Sequence, residues 1–304
     1  MTQHGIIKSY MDRASVLELI QENVDRLSEP DGKEYPYIPF HQKPTPSVDT
    51  LREIMRLLRM VIFPGFFSKE ETRLGSLRYY TGVYMERIYD LLHEQIYNGL
   101  CFEVDQEEDS KERASGIAVA FINLIPRIKY LLSTDVKAIL DGDPAAKSLS
   151  EIIFCYPAMS ALLHQRVAHQ LYRLGVPVLP RIITEMAHAQ TGIDIHPGAE
   201  IGEYFSIDHG TGVVVGQTAI IGNHVRLYQG VTLGAKNFTL DKEGLPMDLP
   251  RHPIIEDDVT IYSNASILGR ITIGKGSVIG GNIWLTHSVP PYSKILQTKA
   301  VENG

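Results

Sequence analysis

Residues 194–222 read DIHPGAEIGEYFSIDHGTGVVVGQTAIIG, and an apolar residue returns at every sixth position of this stretch. The interval continues to residue 231 and, after an interruption, from residue 255 to residue 285. The series comprises Ile195, Ile201, Ile207, Val213, Ala219, Val225 and Val231, then Ile255, Ile261, Ile267, Ile273, Ile279 and Leu285. A hexapeptide period predicts a parallel β-helix, in which each repeat is one short strand and one corner. An antiparallel sheet would alternate every two residues within each strand instead.

The residues before the repeat show helical spacing, with apolar side chains three and four positions apart. Helices are predicted around 16–27, 51–62, 84–96, 117–132 and 157–174, the last with Gly175 as its C-cap. The fold class is therefore α+β. An α-helical N-terminal domain, 1–190, precedes a parallel β-helix, 191–290. The β-helix carries a loop insert at 235–254, and a short tail follows at 291–304.

The composition excludes several classes of protein. The chain has 304 residues, enough for two domains that each bury a core. Its net charge of -7 argues against a nucleic-acid partner. Two cysteines are too few for a disulfide framework, no signal peptide follows Met1, and no apolar run approaches the roughly 20 residues of a membrane span. These features predict a cytoplasmic protein.

Polar residues with catalytic potential cluster in and beside the repeat: Asp194 and His196, Asp208 and His209, Arg251 and His252. Three repeats make a coil of eighteen residues, which predicts that Gly212 lies directly above Asp194. Because neighbouring coils pair at about 4.8 Å, the Asp194 carboxylate can contact the His209 imidazole within one subunit. We expect the two histidines and two aspartates of the first two pairs to converge on one edge, beside the insert. The alternative is that the histidines are structural and the insert is a tolerated surface loop.

The runs DIHPGAEIG, IDHGTGVVVGQTAIIG, VTLGA, RHPII and ILGRITIG occur in this order over about a hundred residues. In order and spacing they resemble the serine acetyltransferase family, and the stretches 143–145 and 156–171 resemble its helical segment. The resemblance implies a left-handed β-helix, an exception to the usual crossover hand. It also implies transfer of acetyl from acetyl-CoA, as a co-substrate, to the hydroxyl of L-serine, giving O-acetyl-L-serine for cysteine biosynthesis. No permanently bound cofactor and no metal are implied.

The resemblance also implies roles for particular residues. His209 would be the general base for the serine hydroxyl, and Asp194 would orient its imidazole and stabilise the imidazolium. Asp143 and Asp208 would bind the serine ammonium, Arg251 the carboxylate, and His252 would donate a hydrogen bond to the substrate. Acetyl-CoA would be held largely by backbone groups near Gly234, Ala235, Ser263 and Gly281.

Partners follow from the same resemblance. It implies a homotrimer with active sites between neighbouring β-helices, and pairing of trimers into hexamers stays open. L-Cysteine shares serine's ammonium and carboxylate, so feedback inhibition competitive with serine is expected.

Gln217 stands where the family often has Glu, and the loop before Arg251 is longer than usual. The chain ends in VENG, without the terminal isoleucine that family members insert into O-acetylserine sulfhydrylase, so no stable complex with that enzyme is expected.

Three other functions remain as alternatives. A hexapeptide acetyltransferase acting on a sugar or another small acceptor would keep the fold and the histidine base. A zinc lyase of the carbonic-anhydrase type would need three converging histidines, and His196, His209 and His224 lack a close pair of that kind. A non-catalytic scaffold is disfavoured because His209 and Asp194 are both present.

Overall fold

The computed structural model describes residues 12–28, 44–67, 74–103, 109–237 and 240–297. The chain divides into two compact units, residues 1–43 and 44–304. In the first, helix α1 (Arg13–Ser28) coincides with the first predicted helix, and none of its residues is buried. The terminal residues 301–304, on which the expectation about O-acetylserine sulfhydrylase depends, lie outside the described residues.

The second unit begins with helices, four of which coincide with those predicted at 51–62, 84–96, 117–132 and 157–174, whereas the helices at 149–155 and 179–191 were not predicted. The helices are α2 (Val48–Ile62), α3 (Leu74–Glu103), α4 (Ser110–Gly142), α5 (Leu149–Cys155), α6 (Pro157–Arg173) and α7 (Leu179–Thr191). Helix α2 starts where the Ser47 side chain accepts a hydrogen bond from the Thr50 N–H at 3.2 Å. Helix α6 ends in a Schellman motif, with Gly175 at φ +73° and the Val176 N–H bonded to the Leu171 carbonyl.

Helix α4 is the long central helix of this unit. By length and composition it could cross a membrane, although the sequence showed no apolar run that suggested a span. Core helices of soluble proteins meet the same criteria, and α4 packs against α3, α5, α6 and the first coil of the β-helix. Its buried face includes Phe121, Ile128 and Leu132, each at most 1% exposed. The packing therefore explains the apolar composition of α4 as that of a core helix.

Parallel strands follow α7 and stack into three sheets. They are β1 (Asp194–Ile195), β2 (Glu200–Ile201), β3 (Ser206–Asp208), β4 (Val214–Val215), β5 (Ile220–Ile221), β6 (Arg226–Tyr228), β7 (Thr232–Gly234), β8 (Ile254–Ile255), β9 (Thr260–Ile261), β10 (Ser266–Leu268), β11 (Thr272–Ile273), β12 (Val278–Ile279), β13 (Trp284–Leu285) and β14 (Lys294–Ile295). The first sheet has the order β1-β4-β7-β10-β13, the second β11-β8-β5-β2 and the third β14-β12-β9-β6-β3. From β1 to β13 each strand thus pairs with the strand three elements away, which is the arrangement of a three-sided solenoid, and β14 pairs with β12.

The register corrects one prediction. Asp194 pairs with Val214, twenty residues further on, and does not lie beneath Gly212. The next coil has the expected eighteen residues, since Val214 pairs with Thr232, and the insert lengthens the following one, since Ile220 pairs with Ile254. The corner at 209–213 therefore contains two residues more than a regular corner.

The pattern of buried positions explains why these two additional residues do not interrupt the six-residue interval in the sequence. Each repeat buries a strand residue and also a corner residue four positions later, such as Ile195 and Ala199. After the long corner the strand residues are Val215, Ile221 and Leu227, whereas Val213 occupies a corner position. The six-residue interval therefore passes from one kind of buried position to the other without a break.

Candidate active site

The candidate residues lie on two different edges of the β-helix. Edge 1 joins the third sheet to the first and consists of the corners 209–213, 229–231, 262–265 and 280–283. Edge 2 joins the first sheet to the second and consists of 196–199, 216–219, 235–253 and 269–271. A repeat of six residues, at about 3.3 Å each, separates the edges by up to about 20 Å.

His209 opens the long corner on edge 1. Its backbone is left-handed, with φ +56°, and Gly210 and Gly212 follow at φ +86° and +79°. Its imidazole is 75% exposed, and Nε2 lies 3.9 Å from Oδ1 of Asp208. The two additional residues of the corner thus present an accessible imidazole next to a carboxylate.

Asp143 faces this corner from the end of α4. Its Oδ2 accepts a hydrogen bond from the Tyr156 hydroxyl at 2.5 Å, and its Oδ1 accepts one from the Ala145 N–H at 2.8 Å. These two bonds lower the pKa of Asp143, and the nearby charges of His209 and Arg226 act in the same direction. The Asp143 hydrogen bond is also the main cause that raises the pKa of Tyr156 to about 12, so its hydroxyl stays protonated.

Asp143, Asp208 and Arg226 line one cavity, and Arg226 donates a hydrogen bond to the Gly142 carbonyl at 2.9 Å. The structure therefore brings together Asp143, Asp208 and His209, as the family resemblance implied. Sequence reasoning missed Tyr156 and Arg226 as neighbours of these groups. Tyr156 directly precedes Pro157, the first residue of α6, and this position at a helix start was its only signal.

Asp194 lies beside the same corner. Its N–H donates to the Val213 carbonyl at 2.9 Å, and its side chain is 25% exposed. Its Oδ1 lies 3.8 Å from Nη1 of Arg181 on α7. Asp194 and His209 are both among the described residues, and no hydrogen bond joins their side chains. The structure thus places Asp194 at the corner that His209 opens, without the expected contact between their side chains.

Arg251 and His252 lie on edge 2, at the end of the insert. The Thr218 hydroxyl oxygen accepts hydrogen bonds from the backbone N–H groups of both, at 2.9 and 3.1 Å. Arg251 donates from Nη2 to Gln217 Oε1 at 2.7 Å and from Nη1 to Asp248 at 3.1 Å. Gln217, where the family often has Glu, therefore holds the guanidinium without neutralising it.

The protonation state of His252 follows from its contacts. The Thr218 backbone N–H donates to Nδ1 at 3.1 Å, so Nδ1 is an acceptor and the neutral ring carries its proton on Nε2. Burial, followed by the charges of Arg251 and Arg270, lowers the pKa of His252 to about 4. At neutral pH, His252 is thus a neutral side chain that can donate a hydrogen bond from Nε2.

His196 also lies on edge 2, which corrects the expectation that both aspartates and both histidines share one edge. Its Nδ1 accepts a hydrogen bond from the Gly198 N–H at 2.9 Å. Burial and then the charge of Arg181 lower its pKa to about 4. The physical reason for the error is that the corner after a strand lies on a different edge from the corner before it.

These two histidines predict a pH dependence of stability. A histidine with a pKa of about 4 when folded and about 6.5 when unfolded binds more protons in the unfolded state between those values. Their contribution is complete above pH 6.5 and is lost as the pH falls towards 4. We expect the melting temperature to fall over this window, and to fall less steeply in His196→Gln. A flat profile in both proteins would contradict this reasoning.

The positions expected to hold acetyl-CoA are also divided between edge 1 and edge 2. Ser263 and Gly281 lie on successive corners of edge 1, where the Asn282 N–H donates to the Ser263 carbonyl at 2.9 Å. A Cβ added to Gly281 would lie 3.1 Å from that carbonyl, so this corner is closely packed. Gly234 ends β7 and Ala235 begins the insert, on the edge 2 side of the first sheet.

Serine acetyltransferases are similar to this chain in both sequence and structure. The plasmid-encoded serine acetyltransferase of Synechococcus elongatus is 50% identical over 264 residues, which cover 84% of this chain and 83% of that protein. The serine acetyltransferase of Bacillus subtilis is 43% identical over 177 residues, covering 57% and 78% of the two chains. No protein-family model matches the chain.

Solved structures agree with the sequence relatives. Serine acetyltransferase isoform 3 of Entamoeba histolytica, in complex with cysteine, superimposes with a TM-score of 0.71 and 31% identity over 95% of both chains. The soybean serine acetyltransferase complexed with serine gives a TM-score of 0.54 and 27% identity, over 84% of this chain and 97% of that one. The solenoid matches the left-handed β-helix of these enzymes, so the predicted fold class is confirmed.

Proposed function

Because the chain belongs to the serine acetyltransferase family, we propose that it transfers acetyl from acetyl-CoA to the L-serine hydroxyl by direct attack, with His209 as general base. The observation that carries this mechanism is the placement of Asp143 and Asp208 beside His209, opposite in charge to a substrate ammonium. A neutral sugar would offer no charge complementary to this pair of carboxylates.

The division of the candidate groups between two edges supports a site shared by two subunits. Within one chain, His209 and Arg251 lie at opposite ends of the first-sheet strands and are too far apart for one serine molecule. If edge 1 of one subunit faces edge 2 of the next, the site becomes complete. Contacts between two different surfaces close into a ring when the rotation permits, and three such contacts give a homotrimer.

The chemical step follows from the groups on edge 1. His209 removes the proton of the serine hydroxyl while the serine oxygen attacks the thioester carbonyl and forms the new C–O bond. The tetrahedral intermediate then expels the thiolate of CoA, and the imidazolium returns the proton to sulfur. Asp194, adjacent to the same corner, stabilises the imidazolium, as a carboxylate does beside other catalytic histidines.

The groups on edge 2 suit the serine carboxylate. The planar guanidinium of Arg251 can pair with both carboxylate oxygens, and His252 offers an Nε2–H donor nearby. Pantetheine amides of acetyl-CoA would bond to backbone groups at Gly234, Ala235, Ser263 and Gly281, between the same two edges. Both cysteines, Cys101 and Cys155, lie in the helical part, which supports transfer without an acetyl-cysteine intermediate and is compatible with a cytoplasmic location.

The test is the release of CoA thiol from acetyl-CoA with serine, homoserine, threonine and hexoses as acceptors. We expect serine to be strongly preferred and initial rates to show a ternary complex. A preference for a hexose would favour the sugar acetyltransferase, the second candidate. Ping-pong kinetics, or acetylated protein trapped without an acceptor, would overturn direct attack.

Replacement of Arg251 by alanine should separate the two substrates. A hydrogen bond to a charged group contributes about 1.5–3 kcal/mol, so the KM for serine should rise by about 10- to 150-fold. The KM for acetyl-CoA should change little, because only serine presents the carboxylate. Arg251→Lys keeps the charge but not the planar guanidinium, so its KM for serine should be intermediate. Equal losses for both substrates would place Arg251 on the phosphates of CoA instead.

L-Cysteine should inhibit the enzyme competitively with serine. It carries the same ammonium and carboxylate, so Asp143, Asp208, Arg251 and His252 can bind it with its thiol beside His209. The Entamoeba histolytica relative was crystallised with cysteine, which supports this expectation. The measurement is a titration of cysteine at several serine concentrations. Absence of inhibition at millimolar cysteine would contradict the prediction.

A further inference from the structure

Helix α7 presents a row of charged side chains towards Asp194. Nδ1 of His188 lies 3.3 Å from Oε2 of Glu185, and Oε1 of Glu185 forms an ion pair with Nη2 of Arg181. The other guanidinium nitrogen of Arg181, Nη1, lies 3.8 Å from Oδ1 of Asp194. Polar atoms of Glu185, His188 and Asp194 all lie within 4.8 Å of one another. Arg181 is thus the cation shared by two carboxylates that face each other.

We propose that Arg181 is a positioning residue for the acetyl transfer, which holds the Asp194 carboxylate in place beside the corner of His209, and that Glu185 holds Arg181 in place. This inference rests on the proposed function, in which Asp194 stabilises the His209 imidazolium. No catalytic contact with substrate is assigned to Arg181 or Glu185.

Electrostatics gives the reason for a cation at this point. Two carboxylates at such a short separation repel each other. A displaced Asp194 would no longer stabilise a positive charge on His209. The guanidinium of Arg181 offsets the repulsion, because it lies between the carboxylates of Glu185 and Asp194.

The position of Arg181 in its helix also points to this role. It lies in the first turn of α7, directly after Pro180, and this turn has no acidic residue. A cation at a helix N-terminus is disfavoured by the helix dipole, by some tenths of a kcal/mol to about 1 kcal/mol. Departures from such local rules are expected where a tertiary contact or a function compensates for them.

Titratable groups on the neighbouring segments are three histidines. They are His209 in the corner after β3, His196 in the corner after β1, and His169 on α6, which bonds to the Pro197 carbonyl at 2.9 Å. Burial lowers the pKa of both His196 and His169, so at neutral pH both are uncharged. The strand partner of Asp194 is the apolar Val214. Arg181 is therefore the permanent cation at 3.8 Å from this carboxylate.

The experiment measures kcat/KM for serine against pH in the full-length enzyme. In Arg181→Gln, the acidic limb of the profile should move up by about one pH unit or more, while the KM for acetyl-CoA stays within about twofold. The double variant Arg181→Gln/Glu185→Gln removes the repelling carboxylate as well, so its limb should return towards the original position. Arg181→Lys should retain most of the effect of the wild-type residue.

A matched control is Arg127→Gln. Arg127 pairs with Glu203 at 2.7 Å, away from edge 1, and its loss should leave the pH profile unchanged. Melting temperatures of all variants show whether each one folds.

The outcomes separate this inference from the proposed function. If Arg181→Gln lowers kcat without moving the acidic limb, or if the double variant fails to restore it, the positioning role is wrong. Serine-dependent CoA release by the wild-type enzyme then still stands. If the wild-type enzyme releases no CoA with serine, the proposed function itself fails.

Discussion

The variant His209→Ala should lose about a hundredfold to ten-thousandfold in kcat, the usual contribution of a positioned general base. The KM values for serine and acetyl-CoA should change far less, because in this mechanism Arg251 and the carboxylates bind the substrate. The measurement is initial-rate kinetics over a range of pH, and the dependence on an ionising base should disappear with the imidazole. Near-normal turnover would show that the mechanism is wrong.

Three further variants make this experiment more specific. His209 has φ +56°, a conformation that Asn adopts more readily than Ala, so His209→Asn removes the base with less backbone strain. His224 occupies a left-handed corner position with φ +57° on a different edge, and His224→Ala should keep its activity. Asp194→Asn should also lower turnover while substrate binding is mostly retained.

The largest expected loss of stability comes from Arg166→Met. Arg166 on α6 and Asp135 on α4 form an ion pair at 3.0 Å, with side chains 4% and 0% exposed. Arg166 also donates to the Ile201 and Gly202 carbonyls at 2.5 and 2.7 Å. Burial raises the pKa of Asp135, while Arg166 acts to lower it. Removal of the arginine would leave a buried carboxylate without its cation, at a cost of about 3–5 kcal/mol.

Urea unfolding measures this loss, and a double variant provides the control. In Asp135→Leu/Arg166→Met both charges are absent, so much of the stability should return, since apolar residues often replace a buried ion pair at little cost. A single variant within about 1 kcal/mol of the wild type would contradict the argument. The pair joins the helices to the first coil, because the Phe205 N–H also donates to Asp135 at 3.1 Å.

The β-helix could be predicted from the sequence, because the apolar residue at six-residue intervals is a local signal that occurs at thirteen positions. The same regularity concealed the two additional residues at 209–213, since strand and corner positions are both apolar. Arg226 could not be predicted as a neighbour, because its contact with Gly142 joins residues 84 positions apart. Tyr156 lies 13 positions from Asp143, and their contact depends on the packing of the helix between them. The separation of Arg251 from His209 required the coil topology, which spacing alone does not provide.

The two backbone hydrogen bonds that the Thr218 hydroxyl accepts determine where the enzyme can be remodelled. Its hydroxyl fixes the backbone of Arg251 and His252 to the preceding coil, while the Arg251 guanidinium also bonds to Asp248 near the end of the loop. Changes in the length of a flexible loop cost little free energy, only about 0.6 kcal/mol for each doubling. The segment before Asp248 is therefore a place where evolution or a protein engineer can add, shorten or exchange sequence while Arg251 and His252 keep their backbone geometry.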